Sequence, residues 1–421
     1  MDKIEIEGVK SLNGNIAISG SKNSSLPILA STLLVEKPLI IKNVPNLTDV
    51  SFMIKILESL SSKIEFKNSR CKIKNGKPKS LKVSYDLVRK MRASFLVIGP
   101  LLAKYGYAEI SMPGGCAIGT RPIDLHIEGL SKMGAKFIVK DGYVKGKVNG
   151  KLKGCEIKLK KVSVGATENL VMAAVLARGK TIIKNAAREP EVVDLINFLI
   201  KMGAKISGHG TRIITIEGEK ELHSCEYDVM PDRIEAGTYA LSVMGCSGKI
   251  VLENVNKFIC EHLTQIFKPL KCLNCIEIDD GKKLLIKKLE NKVKPIKIST
   301  REFPGFPTDL QAQLTAALLK TKGKSCVKEN IFENRFMHIS ELKRMGADLL
   351  LNGSSLKING VNEIFGAEVM ATDLRASSSL IIAGLMASGK TIINRVYHLD
   401  RGYENLEKKL RNCGVKIRRT S

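Results

Sequence analysis

The sequence predicts an α/β (α+β) protein of two domains, each built from three repeated split βαβ units with helices inside and sheets outside. Three observations predict it. A unit of roughly 65 to 76 residues recurs six times along the 421 residues. Each copy sets an apolar, small-residue helix before β-rich runs and a second, amphipathic helix, so the helices bury against one another and the strands cover them. The chain is also long enough for two separate cores.

In order, Met1 to Glu7 alternates polar and apolar residues as a strand does, and residues 1 to about 20 precede the first copy. The first copy runs from Ser21-Lys22-Asn23 to Ile40-Ile41-Lys42-Asn43, and the second from Met91-Arg92-Ala93 to Met133-Gly134-Ala135. The third holds Val164-Gly165-Ala166-Thr167-Glu168-Asn169, then Gly179-Lys180-Thr181-Ile182-Ile183-Lys184-Asn185 and Met202-Gly203-Ala204. The fourth opens at Pro231-Asp232-Arg233, with Cys272-Leu273-Asn274-Cys275 where Met-Gly-Ala would fall. The fifth opens at Pro307-Thr308-Asp309 and carries Met345-Gly346-Ala347; the sixth is Thr372-Asp373-Leu374-Arg375 with Gly389-Lys390-Thr391. Glycine closes the turns because it alone adopts positive φ without strain. The expected domains are 22–230 and 1–21 with 231–421, the second completed by the N-terminal strand and divided from the first near Met230-Pro231.

Composition narrows the function classes. The longest apolar runs, such as Leu380 to Ala387, fall far below the ~20 residues that span a bilayer, and no signal-peptide core opens the chain, so a cytoplasmic protein without integral membrane contact is expected. The net charge of +26 favours anions. The lysines are scattered, aromatics make up 5% and Trp is absent, which argues against a nucleic-acid reader and for solvated lysine-rich faces. The ten cysteines are expected to be reduced. Cys260-x-His262 with Cys272-x-x-Cys275 has zinc-ligand residue types, but one Cys-x-x-Cys pair and a poor Cys-x-His spacing read better as packing.

Two features point to chemistry. The segment Pro113-Gly114-Gly115-Cys116-Ala117-Ile118-Gly119-Thr120-Arg121 sets a thiol in a glycine-rich loop beside an arginine that favours the thiolate; taken alone it fits equally well an ordinary turn with a small Cys. Polar residues also recur at the first turn of each unit's helix: Lys22 and Asn23, Arg92, Glu168 and Asn169, Asp232 and Arg233, Asp309, Asp373 and Arg375. Capping explains Asp and Ser there. It explains Lys and Arg poorly, since a helix N-terminus is already positive, so these starts are expected to line an anion-binding cleft.

Together with Gly20-Ser21-Lys22-Asn23, Arg121-Pro122-Ile123-Asp124-Leu125, Arg188-Glu189-Pro190-Glu191, Pro304-Gly305-Phe306-Pro307-Thr308-Asp309, Glu333-Asn334-Arg335 and Asp400-Arg401-Gly402-Tyr403-Glu404, these motifs make the whole chain resemble the enolpyruvyl transferases. The resemblance implies two inverse α/β barrels and transfer of the enolpyruvyl group of phosphoenolpyruvate to the 3-hydroxyl of UDP-N-acetylglucosamine, with release of phosphate, in peptidoglycan synthesis. It implies small-molecule substrates and no metal or organic cofactor. The sequence carries no signal for an oligomeric state.

By the same resemblance Lys22, Arg121 and Arg401 bind the phosphate of phosphoenolpyruvate beside Asn23, and Arg335, Asp373 and Arg375 complete the charged site. Arg92, Arg121, Pro122, Ile123, Asp124, Leu125, Lys161, Val162, Ser163, Val164, Asp309 and Ile331 hold the sugar nucleotide. Asp309 takes the proton of the 3-hydroxyl, and Cys116, on a lid, acts in proton transfer at the methylene carbon or in product release. A cysteine there also implies covalent inactivation by fosfomycin, an epoxide resembling phosphoenolpyruvate. Ser24-Ser25 stand where relatives often carry alanine, and Phe303 where Tyr is common. The competing readings are transfer to shikimate 3-phosphate, whose enzymes lack the Pro-Gly-Gly-Cys loop, a basic RNA-binding protein, and a catalytically idle paralogue.

Overall fold

The computed structural model describes residues 2–89, 91–112, 123–289 and 293–420, so Cys116, Arg121 and Pro122 lie outside the described residues. Alternation of polar and apolar residues builds six four-stranded sheets, each with one parallel and two antiparallel pairings in the same order. In one, Glu156–Lys158 runs parallel to Lys180–Lys184, which pairs antiparallel with Ile213–Glu217, and Lys205–Ser207 forms the far edge. The connection is β-α-β-α-β-β, the split βαβ motif. The same order joins Lys82–Val83, Tyr107–Ser111, Tyr143–Val148 and Ala135–Lys140. It recurs in Lys297–Ser299, Lys324–Lys328, Ser355–Asn359 and Asp348–Asn352.

Three sheets are wired through distant chain segments. Glu226–Asp228 returns to pair in parallel with Leu39–Lys42, whose other neighbours are Arg70–Asn75 and Ser62–Lys67. The N-terminal segment is not one strand but two: Lys3–Glu7 lies between Lys390–Asn394 and Ile417–Thr420, while Leu12–Ala17 pairs in parallel with Gly248–Glu253 of another sheet. Residues 1–19 with 231–421 accordingly form one compact unit, and the described residues of 20–230 the other, each with its own apolar core and three sheets.

Inside each unit lie three central helices: α1 (Lys22–Ser31), α2 (Ile98–Tyr105) and α3 (Val164–Ala174) in one, and α4 (Arg233–Cys246), α5 (Gln311–Ala317) and α6 (Leu374–Met386) in the other. Every residue of α5, and all but one of α4 and of α6, is buried, because small side chains let neighbouring helices approach on all sides. Their starts are capped locally. The Asp232 carboxylate accepts from the Ile234 and Glu235 amides, and the Asp373 carboxylate from those of Arg375 and Ala376. Ser21 and Ser163 cap α1 and α3. Glu168 and Asn169, expected in the first turn, sit in the second turn of α3 and are buried, because Ser163 starts that helix earlier.

The outer helices are amphipathic, and the Met-Gly-Ala signal ends them: Gly203 and Gly346 hold φ of 98° and 91° directly after the Met C-caps. In the fourth copy Lys271 takes the left-handed position at φ 51°, with Cys272 packed behind it. The recurring Asn also has a defined job. Asn43, Asn185 and Asn254 adopt φ of 54°, 58° and 53° where their strands end. Their amides donate to the carbonyls of Val229, Leu159 and Ile18 at 2.8, 3.0 and 2.6 Å, closing each sheet onto its parallel edge strand.

The nine described cysteines are free, and His262 stacks on Phe258 at 5.8 Å and meets Arg233 Nη1 at 3.3 Å. Among the described residues no group of three or more His, Cys, Asp or Glu is placed to hold a metal ion, and no helix is long and apolar enough to cross a membrane.

Candidate active site

In the unit of residues 1–19 and 231–421, Asp309 is the centre. It lies in the 3-10 turn Thr308–Leu310 ahead of α5. Arg335 Nη2 donates to its Oδ1 at 2.7 Å, and Arg375 Nη2, from the first turn of α6, to its Oδ2 at 2.9 Å. The arginine side chains are 5% and 7% exposed while a quarter of the Asp309 side chain stays open to solvent. Burial works to raise the carboxyl's pKa, but the charges of Arg375 and Arg335 and their hydrogen bonds hold it well below the usual carboxylate range.

The same unit fixes Ile331, Asp373 and Arg401. Asp373 caps α6. Arg401 ends the 3-10 turn Val396–Arg401, and the preceding Asp400 accepts both Nη groups of Arg419, at 3.0 and 2.6 Å. Ile331 is placed by Glu329, a buried carboxylate that the sequence did not single out. It accepts from the Ile331 amide at 2.8 Å, the Phe332 amide at 3.2 Å, and the Thr300 and Thr308 hydroxyls at 2.9 Å each. An acid ending a strand that reads Lys324-Ser325-Cys326-Val327-Lys328 carries no local signal of burial.

In the other unit the structure brings the remaining described residues into two groups. Lys22, the first residue of α1, reaches Asp49 Oδ2 at 3.0 Å, with Asn23 next to it on the helix and Asp49 almost fully buried in the first turn of Thr48–Ser59. Ile123, Asp124 and Leu125 start the helix Asp124–Lys132, and Lys161, Val162, Ser163 and Val164 lead into α3. His126 joins these two segments: its Nδ1 lies 2.9 Å from Asn169 Nδ2 of α3, and its ring meets Phe95 edge-on at 5.4 Å. Burial first, then the charge of Arg92, pushes the His126 pKa down to about 4, so it packs as a neutral ring. Arg92 opens the 3-10 turn Arg92–Val97. The sequence reading missed His126, Asn169's role as its partner, and Asp49.

Fold and sequence together define the class: the chain belongs to the EPSP synthase (3-phosphoshikimate 1-carboxyvinyltransferase) family, whose sequence model matches residues 6–410. Its curated relatives carry a narrower name. It is 49% identical over 419 residues to "UDP-N-acetylglucosamine 1-carboxyvinyltransferase" of Endomicrobium trichonymphae, covering 99% of each chain. It is 50% identical over 425 residues to the protein of that name from Pelagibacter ubique, covering 100% of each. Among solved structures, the enolpyruvyl transferase NikO from Streptomyces tendae matches with a TM-score of 0.88 at 22% identity, over 100% of this chain and 99% of that one. EPSP synthase from Acinetobacter baumannii matches with a TM-score of 0.76 at 19% identity, over 100% of each chain. Both support the fold.

Proposed function

We propose that this chain transfers the enolpyruvyl group of phosphoenolpyruvate to the 3-hydroxyl of UDP-N-acetylglucosamine with release of phosphate, a cytoplasmic step that commits the sugar nucleotide to peptidoglycan. The observation that carries the reading is the Asp309 carboxylate held ionised by two buried arginines. Whole-length identity of 49% and 50% with two transferases of that name supports it.

In this reading Lys22, Asn23, Arg121 and Arg401 bind the phosphate of phosphoenolpyruvate, and Arg335 and Arg375 meet its remaining charge. A planar guanidinium suits both carboxylate and phosphate. Arg92, the segments 121–125 and 161–164, and Ile331 hold the sugar nucleotide. Asp309 accepts the 3-hydroxyl proton as the oxygen bonds to C2 of phosphoenolpyruvate and C3 gains a proton, and Cys116 acts in proton transfer at C3 or in product release. As phosphate departs, C3 returns a proton to the group that supplied it, the C2–C3 double bond re-forms as the enol ether of the sugar, and the proton taken by Asp309 leaves with the phosphate. Asp309 is a weak base while both arginines hold it. An arriving anion that draws them away raises its basicity, so the first substrate readies the site for the second.

The domains 22–230 and 1–21 with 231–421 are the proposed functional halves, the first carrying the Cys116 loop. The test is phosphate release from phosphoenolpyruvate, measured separately with UDP-N-acetylglucosamine and with shikimate 3-phosphate, in the native chain and in Cys116→Ala. Release only with the sugar nucleotide, strongly reduced in the variant, is expected. Release only with shikimate 3-phosphate, or with neither, overturns the reading.

A further inference from the structure

We propose that Tyr403 is a positioning residue for this reaction: its phenol links the main chain of α4 to the Arg375 guanidinium and thereby sets the grip of Arg375 on Asp309. The inference rests on the transfer reading above and deepens it. Tyr403 is 3% exposed and follows the turn that carries Arg401. Its hydroxyl lies 2.8 Å from Thr238 Oγ1, 3.3 Å from Gln313 Nε2 and 3.4 Å from Arg375 Nη1, so one oxygen meets side chains of α4, α5 and α6.

The direction of these bonds follows from counting protons. Thr238 Oγ1 lies 2.8 Å from the Ile234 carbonyl one turn back on α4, and its single proton goes there. The contact between Thr238 and Tyr403 therefore has Tyr403 as donor, which leaves the phenol oxygen as an acceptor. Arg375 Nη1 and Gln313 Nε2 are the two donors facing it. Gln313 Nε2 also lies 2.8 Å from the Asp309 carbonyl, so one cluster holds Asp309 by its main chain and Arg375 by its guanidinium. The charged groups acting on the pair are Arg335 and, at the start of α4, Asp232; Asp373 and Arg335 both act on the nearby His338.

Removing the phenol oxygen loosens Arg375, so that its guanidinium no longer stands ready for the substrate's charge, and weakens its hold on Asp309, so that this carboxyl keeps its proton to higher pH. The test uses the full chain with Tyr403→Phe, Thr238→Val and Thr238→Ser, reading kcat, KM for both substrates and the pH profile. The Asp309 carboxyl is titrated directly by 13C NMR in aspartate-labelled protein, assigned with Asp309→Asn. Tyr403→Phe and Thr238→Val are expected to lower kcat about tenfold with KM nearly unchanged. They should also move both the acid limb and the Asp309 titration to higher pH, while Thr238→Ser behaves as native. An unmoved Asp309 titration, or a Ser variant as impaired as the Val variant, overturns the proposal. If Tyr403→Phe does not fold, the Thr238 pair decides by the same readings. The NMR titration needs no turnover, so a native chain that releases no phosphate overturns the transfer reading and leaves this coupling open to its own test.

Discussion

Arg375 Nη2 meets Asp309 Oδ2 at 2.9 Å while Arg335 takes the other carboxylate oxygen at 2.7 Å, one guanidinium to each oxygen. Replacing the carboxylate leaves two buried cations facing a neutral amide. Asp309→Asn should lower the unfolding free energy by about 3 kcal/mol, measured by urea titration. It should also lower turnover by at least about 100-fold, measured by phosphate release. Native stability would contradict the ion pairing, and native turnover would contradict the assignment of the base.

Glu329 joins Thr308, beside Asp309, to the Ile331 amide. Glu329→Gln keeps the shape but replaces one accepting oxygen with a donor. A stability loss of about 1–2 kcal/mol is expected, with KM for the sugar nucleotide rising more than kcat falls. A kcat loss at constant KM would place Glu329 in the chemistry instead.

Asn185 combines positive φ with a side-chain bond to the Leu159 carbonyl. Asn185→Ala loses both and should cost about 2 kcal/mol in a denaturation curve. Asn185→Gly keeps the backbone conformation and should cost about half as much. Equal losses would mean that the backbone conformation contributes nothing.

The same position shows what was legible in the sequence. The Asn closing each β-rich run, Gly203 and Gly346 after the outer helices, and Lys22 and Arg375 at helix starts all carry local signals: positive φ, capping and periodicity. The six copies were legible for that reason. Which strand completes which sheet was not, because the pairing of Glu226–Asp228 with Leu39–Lys42 closes across nearly the whole first domain and has no local signature. Burial of polar side chains was equally hidden. Glu329 and Asp49 look like surface acids in the sequence, and only the end of a strand and the packing of the helix Thr48–Ser59 turn them inward.

His126 and His338 hold pKa values near 4 against an ordinary 6.5, burial being the main cause in each. Between those values the unfolded chain binds protons that the folded chain does not, so the stability they contribute is full above pH 6.5 and falls as pH drops toward 4. Each should account for about 2 kcal/mol of loss at pH 5. Stability curves at pH 7 and pH 5 check this, with His338→Gln expected to shrink the difference by about 2 kcal/mol. A difference unchanged in the variant would contradict it.

The most direct test of the account is the mass of the acceptor after incubation with phosphoenolpyruvate and the native or Asp309→Asn chain. The account predicts that UDP-N-acetylglucosamine gains one enolpyruvyl unit per phosphate released in the native reaction, and does so at a rate at least about 100-fold lower with the variant. An unmodified sugar nucleotide in the native reaction, or modification by Asp309→Asn at the native rate, would contradict it.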